Sequence, residues 1–170
     1  MAEVNAASHN LGGKYLTFKL ANEEYGLEIM KVQEIIGVLP VTKVPRVPPY
    51  VRGVINLRGR IIPTIELRTK FGIERVEDTE RTCIIVTEVA TAKGKVGMGI
   101  IVDEVAEVLD IAGDQIDQTP DFGTALSTEF ILGVGVVKGE VKILLDIERV
   151  LTSEEVKLVQ NMARQAEGGE

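Results

Sequence analysis

The chain has 170 residues, one cysteine, no tryptophan and a net charge of −7. That suits one compact unit or two small joined ones, and it argues against both a disulfide framework and generic nucleic-acid binding. With few aromatic residues the core has to be built from Val, Ile and Leu, which favours strands. Residues 1–13 read as a flexible leader with neither a basic n-region nor an apolar h-region, and the longest apolar runs are too short to cross a membrane. The expectation is a cytoplasmic, β-rich protein.

Residues 15–20 (Tyr-Leu-Thr-Phe-Lys-Leu) alternate and predict a first strand, 21–24 a turn, and 25–29 a returning strand. The stretch from Met30 to Ile36 fits either a short helix, with Met30, Ile35 and Ile36 on one side, or a strand in which Val32, Glu34 and Ile36 alternate. Pro40, Pro45, Pro48 and Pro49 then exclude a long helix and leave room for a short helical turn at 48–52. From Val51 to Leu67 the pattern predicts two strands folded about Leu57-Arg58-Gly59, with Gly59 supplying the positive φ of a tight turn. Pro63 lies on the apolar face of the second strand and predicts an edge or a bulge there. A charged connector at 71–80 precedes a buried strand at 82–87, a hairpin loop at 90–95 and a strand at 96–102. A strand or short helix at 105–111, a long loop at 113–129 and a second hairpin at 130–146 follow. Thr152-Ser-Glu-Glu155 is a capping box that opens a C-terminal helix over 153–167, with Val156, Val159, Met162 and Ala163 as its apolar stripe.

The second hairpin repeats the first. At an offset of eighty, Gly53, Val54, Arg58 and Gly59 correspond to Gly133, Val134, Lys138 and Gly139, and Ile61, Ile65, Glu66 and Leu67 to Val141, Leu145, Asp146 and Ile147. Upstream, Val32-Gln-Glu-Ile35 resembles Val102-Asp-Glu-Val105 at an offset of seventy, which places a loop about ten residues longer in the second half. The pattern predicts two copies of one small β unit whose sequence halves meet near 71–81.

Residues 40–70 hold seven basic side chains (Lys43, Arg46, Arg52, Arg58, Arg60, Arg68, Lys70) against Glu66 alone, so the remainder carries −13. The patch is either a solvated face or a surface for an acidic partner, and without interleaved aromatics that partner is a protein rather than RNA. Gly133-Val-Gly135 followed by Gly139 has the wrong spacing for a phosphate loop, and a strand follows where a helix N-terminus is required. Cys83 sits in an apolar strand, and His9, in the leader, is the only histidine. Nucleophilic triads and histidine-based metal sites are therefore not expected, and no catalytic residue, cofactor or metal ligand is assigned. Glu104 with Glu107 and Asp114 with Asp117 have no companion base and read as surface charge. What remains is a binding module, in which Val32, Ile35, Val108 and Phe122 are either docking anchors or core.

Several runs carry a family resemblance: Tyr25-Gly-Leu-Glu-Ile29, Lys31-Val-Gln-Glu-Ile35, Arg52-Gly-Val-Ile-Asn-Leu-Arg-Gly59, Ile61-Ile-Pro63, Glu66-Leu-Arg68, Leu126-Ser-Thr-Glu129 and Ile143-Leu-Leu-Asp-Ile147. Together they resemble the CheW family, the adaptors of bacterial chemotaxis. The resemblance implies a mainly β fold of two intertwined five-stranded SH3-like barrels over 14–152, with the C-terminal helix at 153–167. It also implies a non-catalytic, monomeric scaffold that couples chemoreceptor cytoplasmic tips to the histidine kinase CheA, in arrays under the inner membrane. Carried over by position, Ile29, Glu34 and Ile35 would dock the kinase regulatory domain. Val32, Gly53, Arg58 and Val108 would hold the receptor in a groove between barrels, and Phe122 would make a second kinase contact. Arg58 has two open roles at this stage: a receptor contact, or a pin from its own hairpin to the second barrel. No nucleic acid and no membrane insertion are implied. An unrelated interaction or carbohydrate-type β module is the competing reading.

Overall fold

The computed structural model describes residues 11–91, 94–117, 130–152, 154–159 and 161. Among the described residues eleven strands occur, in the order β1 (Gly13–Leu20), β2 (Glu23–Glu28), β3 (Val32–Gly37), β4 (Val51–Leu57), β5 (Arg60–Glu66), β6 (Cys83–Thr91), β7 (Gly94–Val102), β8 (Glu104–Ile111), β9 (Ile116–Asp117), β10 (Ile131–Val137) and β11 (Glu140–Leu145). One-turn helices α1 (Leu67–Lys70) and α2 (Ile147–Val150) follow the two hairpins, and a 3-10 turn, Ile29–Lys31, separates β2 from β3. The ambiguous segment after residue 29 is thus a turn and then a strand, and 105–111 is strand throughout. The anticipated helical turn near Pro48 is only a hydrogen-bonded turn, Val51 N–H donating to Pro48 O at 3.0 Å.

Two sheets form, ordered β8-β1-β2-β11-β10-β9 and β3-β6-β7-β5-β4. Both contain one parallel pair, β5 with β7 and β11 with β2, and the registers correspond: Thr64 faces Gly99, and Leu144 faces Gly26. The correspondence exposes the topology. Each sheet takes the first hairpin of one repeat and the last strands of the other, so the chain passes from one sheet to the other after β2 and back after β7. This is the intertwining that the resemblance implied, and it leaves the connector at 71–82 inside one sheet, between β5 and β6. Leu11 accepts a 2.5 Å hydrogen bond from Tyr15 and packs beside Ile111, so ordered packing begins before residue 14.

Both barrels are closed by a short bridge onto the first strand of the repeated hairpin. Thr42 exchanges two 2.9 Å backbone hydrogen bonds with Val54, and Asp117 pairs with Val134, the equivalent of Val54. In the second repeat the bridge is two residues long and counts as β9, which makes that barrel six-stranded where five were expected. Pro63 lies neither on an edge nor at the bulged residue. Val54 directs both backbone groups to Thr42, so Val54–Pro63 is a pair without hydrogen bonds between them. The missing N–H of Pro63 faces β7, whose pairing begins only at Thr64.

The two hairpin turns are of the twist-matched kind, with φ of 52° and 88° at Arg58 and Gly59 and of 51° and 80° at Lys138 and Gly139. Asn56 Oδ1 accepts the Gly59 N–H at 2.8 Å and fixes the first turn. One apolar core spans both barrels and gathers Leu16, Phe18, Leu27, Ile65, Ile85, Ile100, Leu145 and Ile147. Smaller clusters fill the barrel interiors, around Ile55, Ile62 and Ile84 in one and Tyr15, Ile111 and Leu144 in the other. Strands such as 84–86 are buried on both faces, which explains their unbroken apolar runs. Of the seven phenylalanines and tyrosines, four form a single run of rings, Phe18–Tyr25–Phe71–Phe130, with centroids 4.8–5.9 Å apart.

Ion pairs clamp the two crossings between sheets. Arg68 on α1 holds Asp103, between β7 and β8, through two bonds of 2.7 and 2.6 Å. Glu148 on α2 holds Lys31, between β2 and β3, at 3.0 Å. Glu148 is the eighty-residue counterpart of Arg68, so the same clamp is built twice with opposite polarity.

The expected capping box is present: Thr152 N–H donates to Glu155 Oε1 at 2.8 Å and Glu155 N–H to Thr152 Oγ1 at 3.2 Å. Residues 154–159 and 161 are helical, Val159 is buried in the main core and Val156 packs against it. Met162, Ala163 and the rest of the expected helix lie outside the described residues. Lys70 donates to both Glu155 oxygens, at 2.9 and 2.7 Å. Burial works to raise the Glu155 pKa, but the hydrogen bonds from Lys70 and the Thr152 N–H and the Lys70 charge outweigh it and leave it below the ordinary 4.5. A depressed carboxylate stabilises the fold above its unfolded pKa and loses that contribution as pH falls through the folded one. Glu155→Gln should therefore be less stable than the parent at neutral pH, and the difference should shrink as acid is added below the ordinary carboxylate pKa. Denaturant midpoints measured across that range check this.

Candidate functional site

Ile29, which opens the 3-10 turn, and Val32, which follows it, turn inward, half-buried against the shared core. Ile35, on the outward face of the edge strand β3, is 41% exposed. Glu34 accepts two 2.6 Å hydrogen bonds from Arg58 Nη2. Arg58 rides on the hairpin tip, 71% exposed, and its bond to Glu34, with the Coulomb attraction behind it, raises its pKa further above the ordinary arginine value. A residue expected in the kinase set and one expected in the receptor set are therefore partners in one ion pair. That pair pins the hairpin to β3 of its own barrel, not to the second barrel as one sequence reading had it.

Gly53 is buried, directly beneath the Thr42 bridge. Val108 lies on β8, in the other sheet, and is 50% exposed. The pairings make it the counterpart of Ile35: Ile35 faces Ile85, Val108 faces Leu16, and Ile85 and Leu16 hold equivalent places in their hairpins. Val32 likewise corresponds to Val105, because each lies one bulge away from its partner position. The upstream repeat therefore aligns Val32-Gln-Glu-Ile-Ile36 with Val105-Ala-Glu-Val-Leu109, three residues beyond the alignment expected from sequence. Glu107 and Lys138 take the places of Glu34 and Arg58, but no ion pair joins them. Phe122 lies outside the described residues.

The basic patch is largely neutralised from within. Arg52 pairs with Glu66 and Asp78, Arg58 with Glu34, Arg68 with Asp103 and Lys70 with Glu155. Lys43, Arg46 and Arg60 stay exposed without an ion pair among the described residues. Sequence reasoning missed two exposed apolar features: Met30, at the apex of the 3-10 turn, and the facing pair Val136 and Val141 on the second hairpin. The signal for Met30 was available, since a one-turn element between two inward residues has to send its middle side chain out.

Two intertwined barrels, with apolar and ion-paired side chains displayed on an edge strand and a hairpin tip, define an interaction scaffold. The family model for the CheW-like domain matches residues 14–155. The chain is 43% identical over 158 residues to the chemotaxis protein CheW of Klebsiella aerogenes, covering 93% of each chain. It is 37% identical over 153 residues to the chemotaxis protein CheW of Rhizobium meliloti, covering 89% of this chain and 96% of that one. The scaffolding protein TtCheW of Thermoanaerobacter tengcongensis superposes with a TM-score of 0.75 at 33% identity, over 85% of this chain and 97% of that one. The chain belongs to the CheW family and has the role of a chemotaxis adaptor and scaffold.

Proposed function

We propose that the chain couples the cytoplasmic tips of chemoreceptors to the regulatory domain of the histidine kinase CheA, without catalysis of its own, in arrays under the inner membrane. The kinase is docked by the edge of the first barrel, with Ile35 as the presented anchor and Glu34 beside it. The receptor is read at the hairpin tip by Arg58 and, on the second barrel, by Val108. One observation carries this reading: the Glu34–Arg58 ion pair joins the two sets on one rigid edge, so a partner that draws on either side chain acts on the other. Ile29, Val32 and Gly53 then support the surface from beneath it.

Co-sedimentation with receptor and kinase fragments tests the proposal, and failure to bind either would overturn it. Ile35→Asp should weaken kinase binding by about 2 kcal/mol, roughly thirtyfold in Kd, because it puts a charge at an apolar anchor. Receptor binding by that variant should persist. Arg58→Ala should leave the unfolding midpoint essentially unchanged, since an exposed ion pair contributes little to stability, and should reduce receptor binding. A sharp fall in its melting temperature would instead assign Arg58 to the fold.

A further inference from the structure

Met30 is 91% exposed, the most exposed large apolar side chain among the described residues. Its position is not a loose one. Ile29 and Val32 on either side pack against the main core, and Lys31 is held to Glu148 at 3.0 Å, so the turn is anchored while its middle side chain stands in solvent. Five residues on, Ile35 presents the next exposed apolar surface. The other oxidisable side chains among the described residues are better shielded. Met98 is buried at 3% exposure, and Cys83 is half-buried with its S–H donating to Arg81 O at 3.2 Å.

We propose that Met30 is an oxidation-sensitive site on the kinase-docking edge, where conversion to the sulfoxide by a hydroperoxide weakens docking and a sulfoxide reductase restores it. The proposal rests on the docking reading above. The thioether sulfur attacks the terminal peroxide oxygen, so an S–O bond forms as the O–O bond breaks. Sulfur gives up two electrons, and the peroxide is reduced to water or an alcohol. Reversal needs the thiol-driven reductase. The product is a polar sulfoxide on a side chain that touches little of its own protein, so the fold tolerates it. Buried against an apolar partner surface, the same oxygen is desolvated without a hydrogen-bond donor to meet it.

The test treats the full chain with dilute hydrogen peroxide, maps oxidised methionines by peptide mass, and measures affinity for the kinase regulatory domain alongside the melting temperature. Met30 should gain oxygen well before Met98, affinity should fall about tenfold with an unchanged melting temperature, and sulfoxide reductase should restore it. Met30→Leu should lose the response to peroxide, its affinity after treatment matching its own affinity before treatment. Binding that is indifferent to Met30 oxidation, or a response that persists in Met30→Leu, would overturn this proposal alone. Absence of binding by the unoxidised chain would overturn the kinase reading and this proposal with it.

Discussion

Gly53→Ala should unfold with a loss of about 3 kcal/mol, lowering the melting temperature by roughly 6–12 °C. Two independent costs act at this position. A Cβ on Gly53 would lie 2.1 Å from Thr42 O and 2.8 Å from a Val41 methyl carbon, and the first of these belongs to backbone that cannot rotate away. The glycine also has φ +152°, a conformation that L side chains rarely adopt. Relief would require moving Thr42, which closes the barrel through two hydrogen bonds to Val54, or moving Thr64, whose hydroxyl donates to Gly53 O at 3.0 Å.

Gly133, the counterpart in the second barrel, provides the internal control. A Cβ there would meet Asp117 O and an Ile116 methyl carbon, both at 2.8 Å, with no positive φ to add strain. Gly133→Ala should therefore cost less, about 1–2 kcal/mol. Urea denaturation of the two variants gives the ranking. If Gly53→Ala keeps the parental midpoint and loses receptor binding, the glycine is a contact surface and not a closure device.

The hairpins, the repeat and the β class were legible because they rest on local rules: period-two alternation, a Gly after the turn's first residue, and a capping box. The equivalence of Ile35 and Val108 was not. The pattern Val-x-Glu-[Ile/Val] occurs twice in succession in the second half, as Val102-Asp-Glu-Val105 and Val105-Ala-Glu-Val108, and both resemble Val32-Gln-Glu-Ile35. Only strand pairing chooses between them, and it selects the second through a bulge that sequence does not announce. The basic patch failed for a related reason. Its cations look unopposed within 40–70 because their partners stand elsewhere in the chain, Glu34 upstream and Asp78, Asp103 and Glu155 downstream. Neither site residue is settled by local pattern. Ile35, which the sequence leaves as anchor or core, is exposed because pairing makes β3 an edge strand. Burial of Gly53 depends on the Thr42 bridge, which no short-range pattern encodes.

Arg52→Ala should also cost about 3 kcal/mol, because it strips a buried carboxylate of its main partner. Arg52 is the extra residue of the β4 bulge, since Val51 faces Ile65 and Gly53 faces Thr64. Its side chain is only 10% exposed and donates to Glu66 at 2.7 Å, itself 8% exposed, and to both oxygens of Asp78 at 2.7 and 2.9 Å. Without it Glu66 keeps, among the described residues, only Arg75, at 3.2 Å on a largely exposed side chain, and the connector loses the pair that fastens Asp78 to the barrel. Two readouts follow: a lower denaturant midpoint, and faster tryptic cleavage after Arg75 as the connector lifts. The second repeat shows how the cost can be recovered. Its bulge carries Leu132 in place of Arg52, packed beside the interior cluster of its own barrel. Arg52→Leu combined with Glu66→Gln removes both buried charges and keeps apolar volume at the bulge. It should regain most of the stability that Arg52→Ala loses, while the connector, still without its Arg52–Asp78 pair, remains open to trypsin. If the double variant is no more stable than Arg52→Ala, the stranded carboxylate is not the source of the loss, and the Asp78 contact carries it instead.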